Sequence, residues 1–337
     1  MTILSIVVPI FNGAQHLQPF MASVEPYLAT GDVELILIND GSTDTTGALL
    51  DAVAAGQAAV RVLHLANGGQ GRAKNTGALA ANGGYLWFVD VDDVFEDEDA
   101  EPLLDVLRGG THEVVLTGYR RVDVDTLKEL DQYMPSPVAG ADGLAQLDRI
   151  ESAGHSAWNK IISSALFHAP GMSFLEGVIH EDMAVVPLWV SRASSVHFDP
   201  CIRYRYGVRV SSSINGNFTR GGDLLVALNH LARHGSSDPA RIGRSISKEV
   251  FFYTLPRWCN GISKGSVQLR EYRVYHVRLM GLVRELPLSF RDRRAQGFST
   301  ASRAYMSLVE RGLWFLPYVV FQLRRVLVEV RSKRASL

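Results

Sequence analysis

Phe88-Val89-Asp90-Val91-Asp92-Asp93 closes an apolar run that begins at Tyr85 and breaks off in three carboxylates. So short an apolar stretch reads as a buried strand, with the acids standing at its carboxyl end. Upstream the arrangement recurs three times. Ile3 to Pro9 runs into Phe11-Asn12-Gly13, Val33 to Ile38 into Asn39-Asp40-Gly41-Ser42, and Val60 to Leu65 into Asn67-Gly68-Gly69-Gln70-Gly71. Between these runs lie stretches of helical spacing: Leu17, Phe20, Met21, Val24 and Leu28, then about Thr45 to Ala55, then about Arg72 to Ala81. Such alternation predicts an α/β fold, a mostly parallel sheet with helices on both faces. Ligands bind such sheets beyond the carboxyl ends of the strands, so the four polar segments should meet on one rim.

The remaining composition narrows the classes of function. The chain has 337 residues, enough for a substantial core, and 34 Lys plus Arg stand against 35 Asp plus Glu. That balance gives no global field to attract nucleic acid. Cys201 and Cys259 have neither metal-ligand spacing nor the density of a disulfide scaffold, which favours reduced thiols and the cytoplasm. Met1 to Phe11 lacks a basic leader and a small-residue cleavage site, so it reads as a strand and not a signal peptide. No window reaches the ~18 consecutive apolar residues of a membrane span.

A dinucleotide pocket would need a Gly-x-Gly-x-x-Gly turn after the first strand. The turn here is Pro9-Ile10-Phe11-Asn12-Gly13, and Gly69-Gln70-Gly71 is followed by Lys74 where the last glycine should stand. Phosphate would instead be neutralised through Asp90 and Asp92, since strand-end carboxylates hold Mg²⁺ or Mn²⁺ together with substrate phosphates. A solvated acidic turn is the plainer reading of Asp-x-Asp alone; its place opposite three other polar strand ends favours the metal.

The segments Ser5-Ile6-Val7-Val8-Pro9-Ile10-Phe11-Asn12, Asn39-Asp40-Gly41-Ser42-Thr43-Asp44, Asn67 to Gly77 and Phe88 to Asp93 together resemble the family 2 glycosyltransferases. These are inverting enzymes of the Rossmann-like GT-A fold. Trp158-Asn159-Lys160, Glu176 to Asp182 and Tyr204-Arg205-Tyr206 resemble the polysaccharide-building branch of that family, and the likeness covers roughly residues 3 to 215. It implies transfer of a hexose from a nucleotide-diphosphate sugar, UDP-linked by default, to a hydroxyl of a glycan or lipid-linked glycan, with Mn²⁺ or Mg²⁺ as cofactor. Pro9, Phe11 and Asp40 would contact the nucleoside with Asn12 nearby, and Arg72 and Lys74 would form the basic segment near the donor. Asp90 would lie by the ribose or sugar, and Asp92 would be the principal metal ligand. Phe11 stands where the family often has Tyr, and Asn39 where it often has Asp; the second departure removes a carboxylate.

The attacking hydroxyl must lose its proton. The family pattern makes Asp182 the base and Glu181 its neighbour, although an acidic pair also suits the start of a helix over Met183 to Val190. His180 would lie on the acceptor side, orienting a carboxylate or the ion. Trp158 serves there as a sugar platform or as core packing. Arg205, with Tyr204 and Arg209, could set positive charge on the leaving diphosphate, or form a basic surface strand. Residues 1–95 are expected to form the nucleotide-sugar half, 96–217 the acceptor half, and 218–337 a helical, basic region. The aromatic run Trp314 to Phe321 and the arginines after it suit an anionic membrane interface, or packing onto the protein itself.

Two other readings compete. Asp90-Val91-Asp92-Asp93-Val94 also resembles the opening of haloacid-dehalogenase-like phosphatases, with Asp90 as nucleophile. A nucleotide-sugar-binding module without turnover is the other.

Overall fold

The first strand, β1 (Leu4–Ile10), is buried at every position, which requires partners on both edges and cover on both faces. A computed structural model supplies them; it describes residues 2–96, 99–136, 154–179, 181–208, 221–263 and 267–320. The chain divides into two compact units, Met1–Gly216 and Asn217–Leu337.

In the first unit β1 leads into α1 (Ala14–Leu28), β2 (Val33–Asp40), α2 (Thr46–Gly56), β3 (Val60–Leu65), α3 (Gln70–Ala80) and β4 (Tyr85–Phe88). There follow β5 (Val94–Phe95), α4 (Glu101–Arg108), β6 (Val114–Asp123), β7 (Glu129–Tyr133), β8 (Lys160–Ser163), α5 (Ser164–Phe167), α6 (Glu181–Arg192) and β9 (Val196–Val208). Among the described residues the strands form one sheet in the order β3-β2-β1-β4-β8-β6-β9-β5, with β7 paired to β6. The β3-β2-β1-β4 half is parallel throughout, as the alternation requires. Beyond β4 the sheet is mixed: β8 runs antiparallel to both β4 and β6, β5 antiparallel to β9, β7 antiparallel to β6, and β6 and β9 are parallel.

Strand alternation sorts the core into two layers. Trp87 points to one face, where its ring lies 5.8 Å from Tyr27 of α1 and 4.9 Å from Phe95. Leu17, Phe20 and Val24 of α1 and Leu103, Leu104 and Leu107 of α4 complete that layer. Phe88, the next residue, points to the other face, against Phe167 at 5.0 Å, Phe174 at 4.8 Å and Trp189 of α6 at 6.1 Å. Truncating either large aromatic would cost about 3–5 kcal/mol, because the cavity left behind cannot collapse fully.

The second unit is helical: α7 (Gly221–His234), α8 (Pro239–Ser247), a π-helical segment (Lys248–Thr254) running into α9 (Leu255–Ser263), α10 (Leu269–Glu285), α11 (Leu288–Arg291) and α12 (Thr300–Glu310). Local sequence sets several of its starts. Asp238 accepts from the Arg241 N–H ahead of Pro239, Ser299 accepts from the Ser302 N–H, and Gln268 and Glu271 form a reciprocal capping box. No helix among the described residues is long and apolar enough to cross a membrane. Phe321 and the tail arginines from Arg324 on lie outside the described residues.

Candidate active site

The four polar segments do meet at one rim. After β1 the chain turns through Asn12, whose backbone is left-handed at φ 51°, a conformation asparagine tolerates better than most residues. Its side chain fixes the turn: Asn12 Oδ1 accepts from the Thr43 N–H at 2.8 Å, while the Asn12 N–H donates to Ser42 Oγ at 3.0 Å. Phe11 beside it is 52% exposed, a flat ring at the rim, whereas Pro9 is buried within β1.

Asp40 ends β2 and is buried, its two oxygens accepting the N–H groups of Gly68 and Gly69, each at 2.8 Å. One carboxylate thereby shapes the loop that opens α3. Gly41 has φ 72°, and a Cβ there would collide with the Asn67 backbone, so only glycine lets the two loops close on each other. Asn39 Oδ1 accepts from the Ser42 N–H at 2.9 Å, and its amide meets His64 Nδ1 at 3.0 Å. A neutral amide can serve both partners at once. Arg72 reaches back to the Ala66 carbonyl at 3.2 Å.

Helix α3 ties this rim to α6. Lys74 Nζ donates to Glu181 Oε1 at 2.9 Å, with both side chains buried. Asn75 Nδ2 donates to the Phe174 carbonyl at 2.9 Å, and Asn75 Oδ1 accepts from the Phe174 N–H at 3.0 Å. The approach is so close that a Cβ on Gly71 would strike the Leu175 carbonyl oxygen. Burial alone would lower the Lys74 pKa; the carboxylates of Glu181, Asp90 and Asp182 raise it instead. Lys74 is therefore the cation around which these carboxylates gather.

Of the three acids after β4, Asp92 is exposed, Asp90 half-buried and Asp93 buried. Burial pushes the Asp90 carboxyl up to about 6; Lys74 opposes the shift, while Asp92, Glu181 and Asp182 add to it. Burial, and then Glu181, likewise lifts Asp182 to about 6. Asp93 accepts from the Tyr204 hydroxyl at 2.8 Å and the Gly207 N–H at 2.8 Å, and Tyr204 Oη in turn accepts from the Asp90 N–H at 3.1 Å. Burial and the neighbouring Asp90 and Asp92 push the Asp93 carboxyl well up. Asp93 thus anchors the acidic turn to β9. The oxygens that could ligate an ion at this rim belong to carboxylates, the hard ligands that suit Mg²⁺ or Mn²⁺. No group of three or more His, Cys, Asp or Glu among the described residues is set to hold a metal unaided. Such an ion would complete its shell with phosphate or water, as Mg²⁺ usually does.

Arg205 is not brought to this cluster. Tyr204 and Tyr206 take one face of β9, and alternation sends Arg205 to the other, 48% exposed and 3.9 Å from Glu96. Trp158 is half-buried, its ring stacked 5.0 Å from Tyr204 and 5.2 Å from Tyr206, and its carbonyl accepts from Trp87 Nε1 at 2.6 Å. His180 and Arg209 lie outside the described residues.

Lys160, which charge and spacing alone did not single out, is fully buried. Its ammonium donates to the carbonyls of Gly154 at 3.0 Å and Ser156 at 2.8 Å and to Asn159 Oδ1 at 2.8 Å. Burial lowers its pKa to about 7, against the pull of Asp182. A lysine directly before Ile161-Ile162, in a segment with the look of a buried strand, was the available signal.

The fold is of the GT-A type, with the polar rim at the carboxyl ends of its parallel strands. Residues 5–167 match the family described as glycosyl transferase family 2. The uncharacterized glycosyltransferase EpsJ of Bacillus subtilis is 28% identical over 187 residues, 52% of this chain and 52% of its own. Glycosyltransferase GlyG of Streptococcus pneumoniae is 37% identical over 124 residues, 36% of this chain and 40% of its own. The match thus spans about half or less of the length of these two relatives. S. aureus TarS, crystallised with UDP-GlcNAc, is similar in fold, with a TM-score of 0.75 at 17% identity over 96% of this chain and 92% of that one. The family match includes Asp90 and so displaces the phosphatase reading.

Proposed function

We propose that the chain is a metal-dependent, inverting glycosyltransferase that moves a hexose from a nucleotide-diphosphate sugar to a hydroxyl of a glycan or lipid-linked glycan in cell-surface polysaccharide synthesis. The observation that carries this is the gathering of Asp90, Glu181 and Asp182 around Lys74, with Asp182 raised to about 6. A carboxyl with that pKa is mostly ionised at neutral pH yet basic enough to take a proton. UDP is the proposed nucleotide; the complexes of TarS with UDP-GlcNAc and with UDP support it.

Phe11 offers its exposed ring to the base, and Asp40 holds the loop over which the ribose and diphosphate would lie. Arg72 and Lys74 supply positive charge. Asp92, with Asp90, would hold Mn²⁺ or Mg²⁺, whose charge would offset that of the diphosphate. The acceptor oxygen attacks the anomeric carbon, its proton passes to a carboxylate oxygen of Asp182, and the bond from that carbon to the diphosphate oxygen breaks. One displacement inverts the configuration. Lys74 holds Glu181 in place beside the base. Trp158 and Tyr206 border the acceptor side.

We place the protein at the cytoplasmic face of the membrane, with residues 311–337 at the lipid interface. Liposome binding unchanged on removing that tail would remove these residues from the lipid interface.

The test is a panel of nucleotide sugars with Mn²⁺ or Mg²⁺, following nucleotide release and the anomeric configuration of the product. Donor binding without turnover for any acceptor would identify a binding module instead. Retained configuration would contradict the single displacement.

A further inference from the structure

The near-neutral whole conceals two oppositely charged parts. Residues 1–216 carry 13 Lys and Arg against 27 Asp and Glu, and residues 217–337 carry 21 against 8. Within the second unit the arginines are not spread evenly.

Helix α10 buries Tyr272, Tyr275, His276, Leu279, Met280, Leu282 and Val283 on one side. Tyr275 stacks 4.1 Å from Trp258 of α9, and the Tyr272 hydroxyl donates to the Trp314 carbonyl at 2.9 Å. At 3.6 residues per turn the opposite side presents Arg270, Arg273, Val274, Val277, Arg278 and Arg284, all exposed, with Arg273 lying over the Trp314 ring and Arg284 donating to the Glu310 carbonyl. Val274 is 49% exposed and Val277 63%, although neither needs to be apolar for the helix to pack. Gly281, on the same stripe, has open space where a Cβ would be, so the surface there is flat. Leu288, just past the helix, is 77% exposed. Glu285 is the acid on this side, since Glu271 is spent in the capping box.

We infer that this face of α10 docks on an anionic phospholipid surface, its arginines meeting headgroup phosphates while Val274 and Val277 enter the acyl boundary. Charge complementarity selects an anionic partner. The valines seated among the arginines favour lipid over a soluble polyanion, which would offer them nothing apolar to enter. The inference is independent of the transferase reading; α10 meets residue 314 through Tyr272 and through Arg273, whose guanidinium lies 5.9 Å from the Trp314 ring.

The experiment is co-sedimentation of the full chain with vesicles of phosphatidylcholine alone and of phosphatidylcholine with phosphatidylglycerol, at low and high salt. Binding should require phosphatidylglycerol and fall with salt. Arg270→Gln with Arg278→Gln should weaken it on the order of 30-fold, at about 1 kcal/mol for each arginine lost. Val274→Ser with Val277→Ser should weaken it about tenfold with no change of charge. These positions are exposed, so thermal unfolding should stay as in the wild type. Wild-type binding by the arginine variant overturns the inference, as does binding that disappears with residues 321–337 alone. So does an unaffected valine variant whose vesicle binding is displaced by polyphosphate, which would identify a polyanion site.

Discussion

Lys74 Nζ and Glu181 Oε1, 107 residues apart in the chain, meet at 2.9 Å in a buried contact. The pair is not symmetric, because Lys74 also faces Asp90 and Asp182. Lys74→Met should therefore cost about 3–5 kcal/mol, the usual penalty for stranding buried charge. Glu181→Gln should cost clearly less, since the lysine keeps two carboxylates. Urea denaturation of both variants checks this; equal losses would mean that Lys74 serves Glu181 alone.

Asp182 must be ionised to accept a proton, and its carboxyl is raised to about 6, first by burial and then by Glu181. Transfer should climb as pH rises through about 6 and level off above it. Asp182→Asn should lower transfer by about 10²–10⁴-fold while leaving donor affinity near that of the wild type. Full transfer by this variant would remove Asp182 from the role of base.

Asp92 is the exposed acid of the turn after β4. Asp92→Asn should raise the Mn²⁺ concentration needed for half-maximal donor turnover by about tenfold or more, with little change in stability. A metal titration at saturating donor reads this directly, and an unchanged curve would count against Asp92 as the principal ligand.

Lys160 should reveal itself in a stability profile. Its pKa falls from the ordinary 10.5 to about 7 on burial, so between those values the unfolded chain binds the extra proton and the folded one does not. Stability conferred by this group then rises with pH across that window. Lys160→Met strands three acceptors and should cost about 3 kcal/mol or more. The gap between wild type and Lys160→Met, followed by urea unfolding, should widen from pH 7 towards pH 10.

The rim was legible in the sequence because a parallel sheet writes it locally: each apolar run ends in its own polar segment, and each segment sits where its strand stops. Asp40 and Asn12 could be placed that way without knowing their partners. The bonds from Lys160 to Gly154 and Ser156, and from Tyr204 to Asp93, were hidden because they depend on how β8 and β9 pair in the mixed half of the sheet, where the apolar runs carry no such punctuation. Arg205 shows a different gap. Charge drew attention to it, while the period of two in Tyr204-Arg205-Tyr206 already set it opposite its neighbours.

Gly71 lying against the Leu175 carbonyl makes the donor and acceptor sides of the first unit poor candidates for exchange between relatives. A chimera joined after β4 would have to carry residues 71, 74 and 75 together with 174, 175 and 181, or the helix bearing the lysine could not seat against its new neighbour. Specificity in this scaffold is then better redesigned by substitutions around the rim than by swapping whole segments.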